Sequence, residues 1–192
     1  MTARKLLSYG KCLLITAGIT IIGGLAFLYS GLYTMGADVP HNAFTYWGLE
    51  TLRERSIERV ASNIEVPNDL NTSSRLLRGG ADYNDMCASC HLTPSKKQSD
   101  FSLGLYPSPP NLSLNENDDG HDSHGDGLYT QQRQFWIIKH GIKASGMPAW
   151  GPSHDDQRIW DMVAFLKRLP ELSPAQYQIL TARGDSSNGH EQ

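Results

Sequence analysis

Cysteine is scarce in this 192-residue chain, with Cys12, Cys87 and Cys90 making up the whole supply. Three cysteines cannot build a disulfide framework, and the close pair at Cys87 and Cys90 points instead to cofactor or metal chemistry. An excess of charge of one sign is also missing. Seventeen Lys and Arg stand against twenty Asp and Glu, for a formal net charge of -3. With no basic run or cluster, nucleic acid is excluded as a partner. The length allows one ordinary domain with an anchor and connecting segments, not two independent cores. Gly and Pro crowd the middle of the chain, as in a small, loop-rich fold that draws stability from something besides a large apolar core.

Charge is absent altogether from Cys12 to Tyr33, a run of 22 residues rich in Leu, Ile, Ala and Gly. As a helix it would be about 33 Å long, enough for a hydrocarbon core of about 30 Å. Arg4, Lys5 and Lys11 precede the run and Asp38 is the first charge after it, so the positive-inside rule puts the N-terminus in the cytoplasm and the remainder outside. A cleaved signal peptide competes with this reading, but its apolar region is usually about 7–15 residues, and Met35-Gly36-Ala37 is only a fair cleavage site. Cys12 lies at the cytoplasmic end, behind Lys11, where an inert thiol is the default.

Beyond the anchor, Trp47 to Ile64 reads as an amphipathic helix, with Leu49, Leu52, Val60 and Ile64 at helical spacing among mixed charges. It serves equally well as a solvated spacer or as a helix docked on the membrane surface or on a partner subunit, with Tyr46 and Trp47 near the headgroups. Pro67 ends the segment, and a helix from Ser74 to Met86 follows. Leu92 to Gly127 is long and irregular, and such loops inside compact domains usually wrap something or are disordered. A helix from Tyr129 to His140 is closed by Gly141. Ser153 with Asp156 predicts a capping box for a helix ending at Leu169-Pro170, and Ser173-Pro174 starts a short last helix. The polar tail from Gly184 predicts disorder.

Cys87-Ala88-Ser89-Cys90-His91 carries the chemistry. Two cysteines separated by two residues and followed directly by histidine are the attachment signature of c-type haem. One turn of chain sets both thiols against the vinyl groups of one porphyrin edge, and the next side chain, His91, falls beneath the iron. A zinc site would need His121 and His124, but 30 residues separate Cys90 from His121 and two separate the histidines. A zinc finger uses about 12–15 and about 3–5. A thioredoxin-like dithiol needs a strand before the motif and a long helix after it, whereas Leu92-Thr93-Pro94 follows here. A structural disulfide between the two cysteines is the remaining rival.

The run Gly79-Gly80-Ala81-Asp82-Tyr83 through His91, the later Gly146-Met147-Pro148-Ala149-Trp150, and the closing Ile159-Trp160 and Phe165-Leu166 together resemble a class I, mono-haem c-type cytochrome over approximately Ser74 to Leu169. The resemblance implies an all-α fold around one covalent haem, with its first and last helices crossing where Gly79 and Tyr83 meet the aromatic face of the last. It implies haem thioethers at Cys87 and Cys90, with His91 as one axial ligand of the iron and Met147 as the other. A backbone carbonyl from Pro109 or Pro110 would meet the His91 imidazole. His140 is the alternative imidazole to Met147, while Met86 and Met162 occupy helical packing positions and Met1 and Met35 belong to the anchor region. Trp136 and Trp150, with Phe135, Ile137, Ile138 and Trp160, are candidates for the crevice walls and equally for plain core.

The expected organisation is a cytoplasmic tip and transmembrane anchor over 1–36, a periplasmic linker with the amphipathic helix over 37–72, the haem domain over 73–172, and a short helix and tail over 173–192. The expected function is single-electron transfer between respiratory partners by a single-pass protein of a bacterial inner membrane, with its haem domain in the periplasm. No catalytic residue is expected, and partners are redox proteins and the membrane. Rival readings are a haem-based gas or redox sensor, a cytochrome subunit of a larger dehydrogenase or oxidase complex, and a non-redox scaffold or metal-handling subunit. In the last, the acidic stretch Asn115 to Gly127, with His121 and His124, would matter more than haem. That stretch meets no known calcium-loop spacing and reads equally as a solvated loop.

Overall fold

An uncharged, largely aliphatic run from Cys12 onward makes most of the first helix, and a left-handed glycine ends it. The computed structural model describes residues 3–114 and 127–182; these are helical or irregular, with no strand among them. Helix α1 spans Ala3–Ser30, and Gly31, at φ +68°, turns the chain out of it, so the helix stops short of the expected Tyr33. Its Ser8–Ser30 stretch, 23 residues with mean hydropathy 2.1, is long and apolar enough to cross a membrane, and none of it is buried within the protein. Contacts divide the chain into Met1–Val39 and Pro40–Gln192.

In the second unit, α2 spans Ala43–Ala61 and begins earlier than the expected Trp47, because the Asn42 side chain caps it by accepting from the Thr45 N–H at 2.9 Å. The helix buries Ile57 and Ala61 and packs on α6, Gly127–His140. Two polar links fasten that contact: the Arg133 guanidinium to Glu54 (2.6 Å) and the Gln132 side-chain amide to the Ile64 carbonyl. The segment expected as a linker over 37–72 is therefore bound to the rest from Ala43 onward. One face of the helix is covered by α6 of the same chain, an arrangement that neither the spacer nor the docked-helix reading included.

The core lies between α3, Ser73–Met86, and α7, Asp156–Leu166, with α8, Pro174–Thr181, closing over it. Gly79 makes the crossing close: a Cβ there would lie 1.9 Å from the Asp161 carbonyl oxygen. Gly80 does the same against the Phe165 ring and the Leu180 carbonyl, at 3.0 and 2.5 Å. Charge flanks the contact on both sides. Arg75 Nη1 and Arg78 Nε donate to the buried Asp161 carboxylate at 2.8 and 2.5 Å, while Arg158 grips Asp82 through two bonds of 2.7 and 2.8 Å. Below them the Tyr83 ring packs on Phe165 with centroids 5.3 Å apart and on Tyr177 at 6.3 Å.

Three local expectations change. No capping box forms at Ser153; Asp155 caps α7 by accepting from the Arg158 N–H at 2.8 Å, so the helix starts later. Leu166 ends α7, and a separate 3-10 turn, Leu169–Glu171, follows. The stretch expected to be irregular from Leu92 contains a short helix, α5, Asp100–Gly104, made by a reciprocal cap between Ser99 and Ser102. Ser173 and Gln176 form the same kind of box at the start of α8. The His121 and His124 loop and the tail from Gly184 lie outside the described residues.

Gly79→Ala should lower stability by about 3 kcal/mol or more, because the new methyl meets backbone rather than a flexible side chain; an unchanged denaturant midpoint would show that the helices do not cross this closely. Burial resists ionisation of Glu54, but hydrogen bonds from Arg133 and Arg53 prevail and hold its carboxyl below the ordinary range. Its contribution is therefore complete above the unfolded glutamate value and is lost as pH falls through the lower folded value. Stability measured from neutral to acid pH should decline less steeply in Glu54→Gln than in the parent, and equal slopes would remove the pair from the account.

Candidate functional site

The haem-attachment sequence sits where α3 stops. Cys87 is the C-cap of α3, and the one-turn helix α4, Ala88–His91, carries Cys90 and His91. The cap bonds run on without a break: the His91 N–H donates to the Cys87 carbonyl at 2.8 Å, and the Leu92 N–H to Ala88 at 3.0 Å. Both thiols are free and half-buried. Burial pushes the Cys87 thiol up to about 12. Among the described residues no group of three or more His, Cys, Asp or Glu side chains gathers to hold a metal.

His91 is fixed from two sides. Its Nδ1 lies 2.9 Å from the carbonyl oxygen of Pro110; since a carbonyl accepts, Nδ1 carries the proton and Nε2 keeps its lone pair. The Leu112 N–H donates to the His91 carbonyl at 3.2 Å, which brings the segment after Pro110 back to the turn. Of the two expected prolines, it is Pro110 whose carbonyl reaches the ring. Burial lowers the His91 pKa, against the opposing effect of the hydrogen bond that the ring donates to the Pro110 carbonyl, so the imidazole stays neutral at neutral pH.

The chain then leaves the turn through a strained residue. Leu92 has φ 69° and ψ 179°, a region that side-chain-bearing residues seldom enter, and the side chain is buried. The Tyr83 hydroxyl braces it, 2.6 Å from the Leu92 carbonyl and 3.2 Å from that of His91. Sequence reasoning assigned Tyr83 to packing alone; nothing in the residue order signals that its hydroxyl reaches nine positions ahead.

Met147 stands in the loop between α6 and α7, clamped to the end of α6. Gly141 leaves the helix at φ +64°, where a Cβ would meet the Met147 carbonyl oxygen at 2.8 Å. The Ile142 N–H donates to that carbonyl at 3.1 Å, the Met147 N–H to Ser145 Oγ at 3.1 Å, and Ser145 Oγ to the Ile142 carbonyl at 2.8 Å. Trp150 and Gly151 then donate to the Ile138 and Lys139 carbonyls at 3.0 and 2.9 Å. On the far side, Gly146 approaches Leu105 so closely that a Cβ would lie 2.5 Å from its side chain. Leu105, after α5, was not among the residues expected here.

The apolar side chains Met86, Cys87, Leu112, Met147 and Trp150 all pack against the core yet remain only partly buried. Trp136 and His140 pair with each other, ring centroids 4.9 Å apart, and His140 is exposed. Phe135 stacks on Trp160 at 4.3 Å, and with Ile138 these belong to the buried core. A haem fits this set of residues: two neighbouring thiols, an imidazole with Nε2 unprotonated, a loop thioether, and half-covered apolar side chains that a flat apolar ring would cover.

Comparison with known proteins agrees with the geometry. Residues 74–166 match the family described as cytochrome C oxidase, cbb3-type, subunit III. A search of curated proteins and a search of solved structures each returned no match. The matched span begins one residue inside α3 and ends with α7, so it takes in the crossing helices, the attachment turn and the Met147 loop. Residues 74–166 are thus a c-type cytochrome domain, which implies haem-based electron transfer, in a chain whose described residues include an apolar helix suited to a membrane and hold helices but no strand.

Proposed function

We propose that this protein is a membrane-anchored, single-electron carrier that holds one haem through thioethers to Cys87 and Cys90, with His91 and Met147 as its axial ligands. The observation that carries the reading is the attachment turn, in which the His91 imidazole is oriented by the Pro110 carbonyl at 2.9 Å. When bound, haem supplies a one-electron iron couple. The chain's own contribution is to fix the two ligating side chains, to keep water away with Leu112, Met147 and Trp150, and to limit movement when the charge changes.

Helix α1 is read as the anchor, with Arg4, Lys5 and Lys11 on the cytoplasmic side and the cytochrome domain in the periplasm of a bacterial inner membrane. The proposed organisation is an anchor over 1–36, a connector to which α2 belongs over 37–72, a haem domain over 73–172 and a terminal helix and tail over 173–192. With both axial positions filled by the protein and no second redox group proposed, the chain turns over no substrate of its own, and its partners are redox proteins. A second reading, a cytochrome subunit of an oxidase complex, is favoured by the name of the matched family.

Acid denaturation of the mature protein followed by extraction with organic solvent tests the covalent bond. Colour should stay with the polypeptide, and its mass should exceed that of the bare chain by one haem; colour in the solvent would sink the proposal. Met147→Ala should lose the sulfur-to-iron charge-transfer band of the ferric protein and lower the reduction potential on the order of 100 mV, a modest part of the ~0.8 V that axial ligands span. The reduced variant should take up carbon monoxide rapidly where the parent does not. Absence of the band from the parent, with a low-spin ferric spectrum that survives in Met147→Ala and is lost in His140→Ala, would transfer the distal role to His140.

A further inference from the structure

We infer that the edge of the domain formed by the first turns of α2 and by α5 seats on the lipid headgroup layer of the membrane that α1 spans. The inference rests on the anchor reading above and adds an orientation to it.

Along α2, polarity changes from end to end rather than around the circumference. Phe44, Trp47 and Leu52 in its first half are 79%, 62% and 69% exposed, and Phe44 and Trp47 keep their rings 6.0 Å apart. The second half carries Arg53, Glu54, Arg55, Glu58 and Arg59; Arg53 and Glu54 pair with each other and with Glu50 and Arg133 respectively, and Arg55 pairs with Glu58. A helix lying flat on a bilayer needs an apolar stripe down its whole length. One that is apolar at its N-terminal end fits a headgroup layer with that end only, and Trp with Tyr is the pairing that interface favours. Large exposed aromatic and aliphatic side chains in one place are seldom idle.

A second segment extends the edge. The His41 N–H donates to the Tyr106 hydroxyl at 3.3 Å, their rings lie 5.3 Å apart, and Ser108 Oγ returns to the Ser102 carbonyl at 3.1 Å. These bonds tie the start of α2 to α5, where Phe101 and Leu103 are 61% and 67% exposed. Lys96 and Lys97, exposed just before α5, suit lipid phosphates, while Asp100 is the acidic group on α5 itself.

Chain length makes a bilayer the occupant. Residues 31–42 connect the apolar helix to α2, and twelve residues reach ~40 Å at most when fully extended. The end of α2 that is apolar is therefore the end that cannot leave the neighbourhood of the membrane. Ser99, which caps α5, also donates to the Ser89 carbonyl at 2.6 Å, so the same seating holds the attachment turn on the membrane side of the domain. The electron partner that suits such a placement is one embedded in the membrane rather than one diffusing freely.

The test uses the full-length holoprotein with Cys12→Ser, reconstituted alone in phospholipid vesicles and spin-labelled through Trp47→Cys, Leu103→Cys, Arg59→Cys or Leu25→Cys. Relaxation by oxygen, which concentrates in lipid, is compared with relaxation by a water-soluble metal chelate. The oxygen-to-chelate ratio at 47 and 103 should exceed that at 59 severalfold, with that at 25 higher still. Water-like ratios at 47 and 103 beside a lipid-like 25 would overturn the seating and leave the anchor standing. A water-like 25 would remove both. Labels at 47 and 103 shielded from both relaxants would mean that a second protein surface, not lipid, covers this edge.

Discussion

Everything in the second unit hangs on how closely α3 approaches α7. At Gly79 the two backbones come near enough to exclude even a methyl group, and that proximity is what makes the flanking charges obligatory. Asp161 is 3% exposed, and a buried carboxylate needs partners; Arg75 and Arg78 both donate to it, and Asp82 repeats the arrangement with the signs exchanged against Arg158. Arg75 is itself buried, and its Nε finds no partner among the described residues. Such pairs contribute little net stability over apolar packing, but they fix register. Sliding α3 by one turn in one direction would bring Arg78 towards Arg158, and in the other Asp82 towards Asp161.

The register matters because the candidate site is the continuation of α3. Tyr83 is held between Phe165 and Tyr177 by the same crossing, and from there its hydroxyl reaches past the attachment turn to the His91 and Leu92 carbonyls. A backbone geometry such as that of Leu92 costs about 1–3 kcal/mol and persists only where its surroundings impose it. Those surroundings are the Ala88 carbonyl, which accepts from its N–H, and Tyr83, which donates to its carbonyl. The sharp exit lets the chain leave directly after His91 and return at Pro110 to the far side of the same imidazole.

What was legible in the residue order was whatever chemistry writes locally. The Cys87 to His91 signature, Gly141 after a helix and Ser173-Pro174 before one are short-range signals, and each lies where a helix ends or begins in the structure. The close approach at Gly79 followed from family resemblance, since an isolated Gly-Gly pair inside a helix has no local meaning of its own. Failures came where neighbouring polar residues compete for one role. Ser153, Asp155 and Asp156 all qualify as caps for α7, and the Asp155 carboxylate is the one that accepts from Arg158. Helix α5 is too short for periodicity to show. The burial of one α2 face depends on Arg133 and Gln132, some seventy residues away, which no window along the chain can pair with it.

The two sides of the proposed haem are held by different means, and that bears on what the domain can do. The His91 side is braced by a ring hydrogen bond, three backbone bonds through the turn and a buried tyrosine. The Met147 side is a loop whose own bonds are sound, but Gly146, Pro148 and Ala149 are exposed, and Leu105 meets it from outside at Gly146. Two well-held ligands favour a carrier, since little has to rearrange when one charge is added or removed. If an external ligand ever enters, the asymmetry makes Met147 the position that yields, because displacing the His91 ring would also break its bond to the Pro110 carbonyl and disturb the turn that Tyr83 braces.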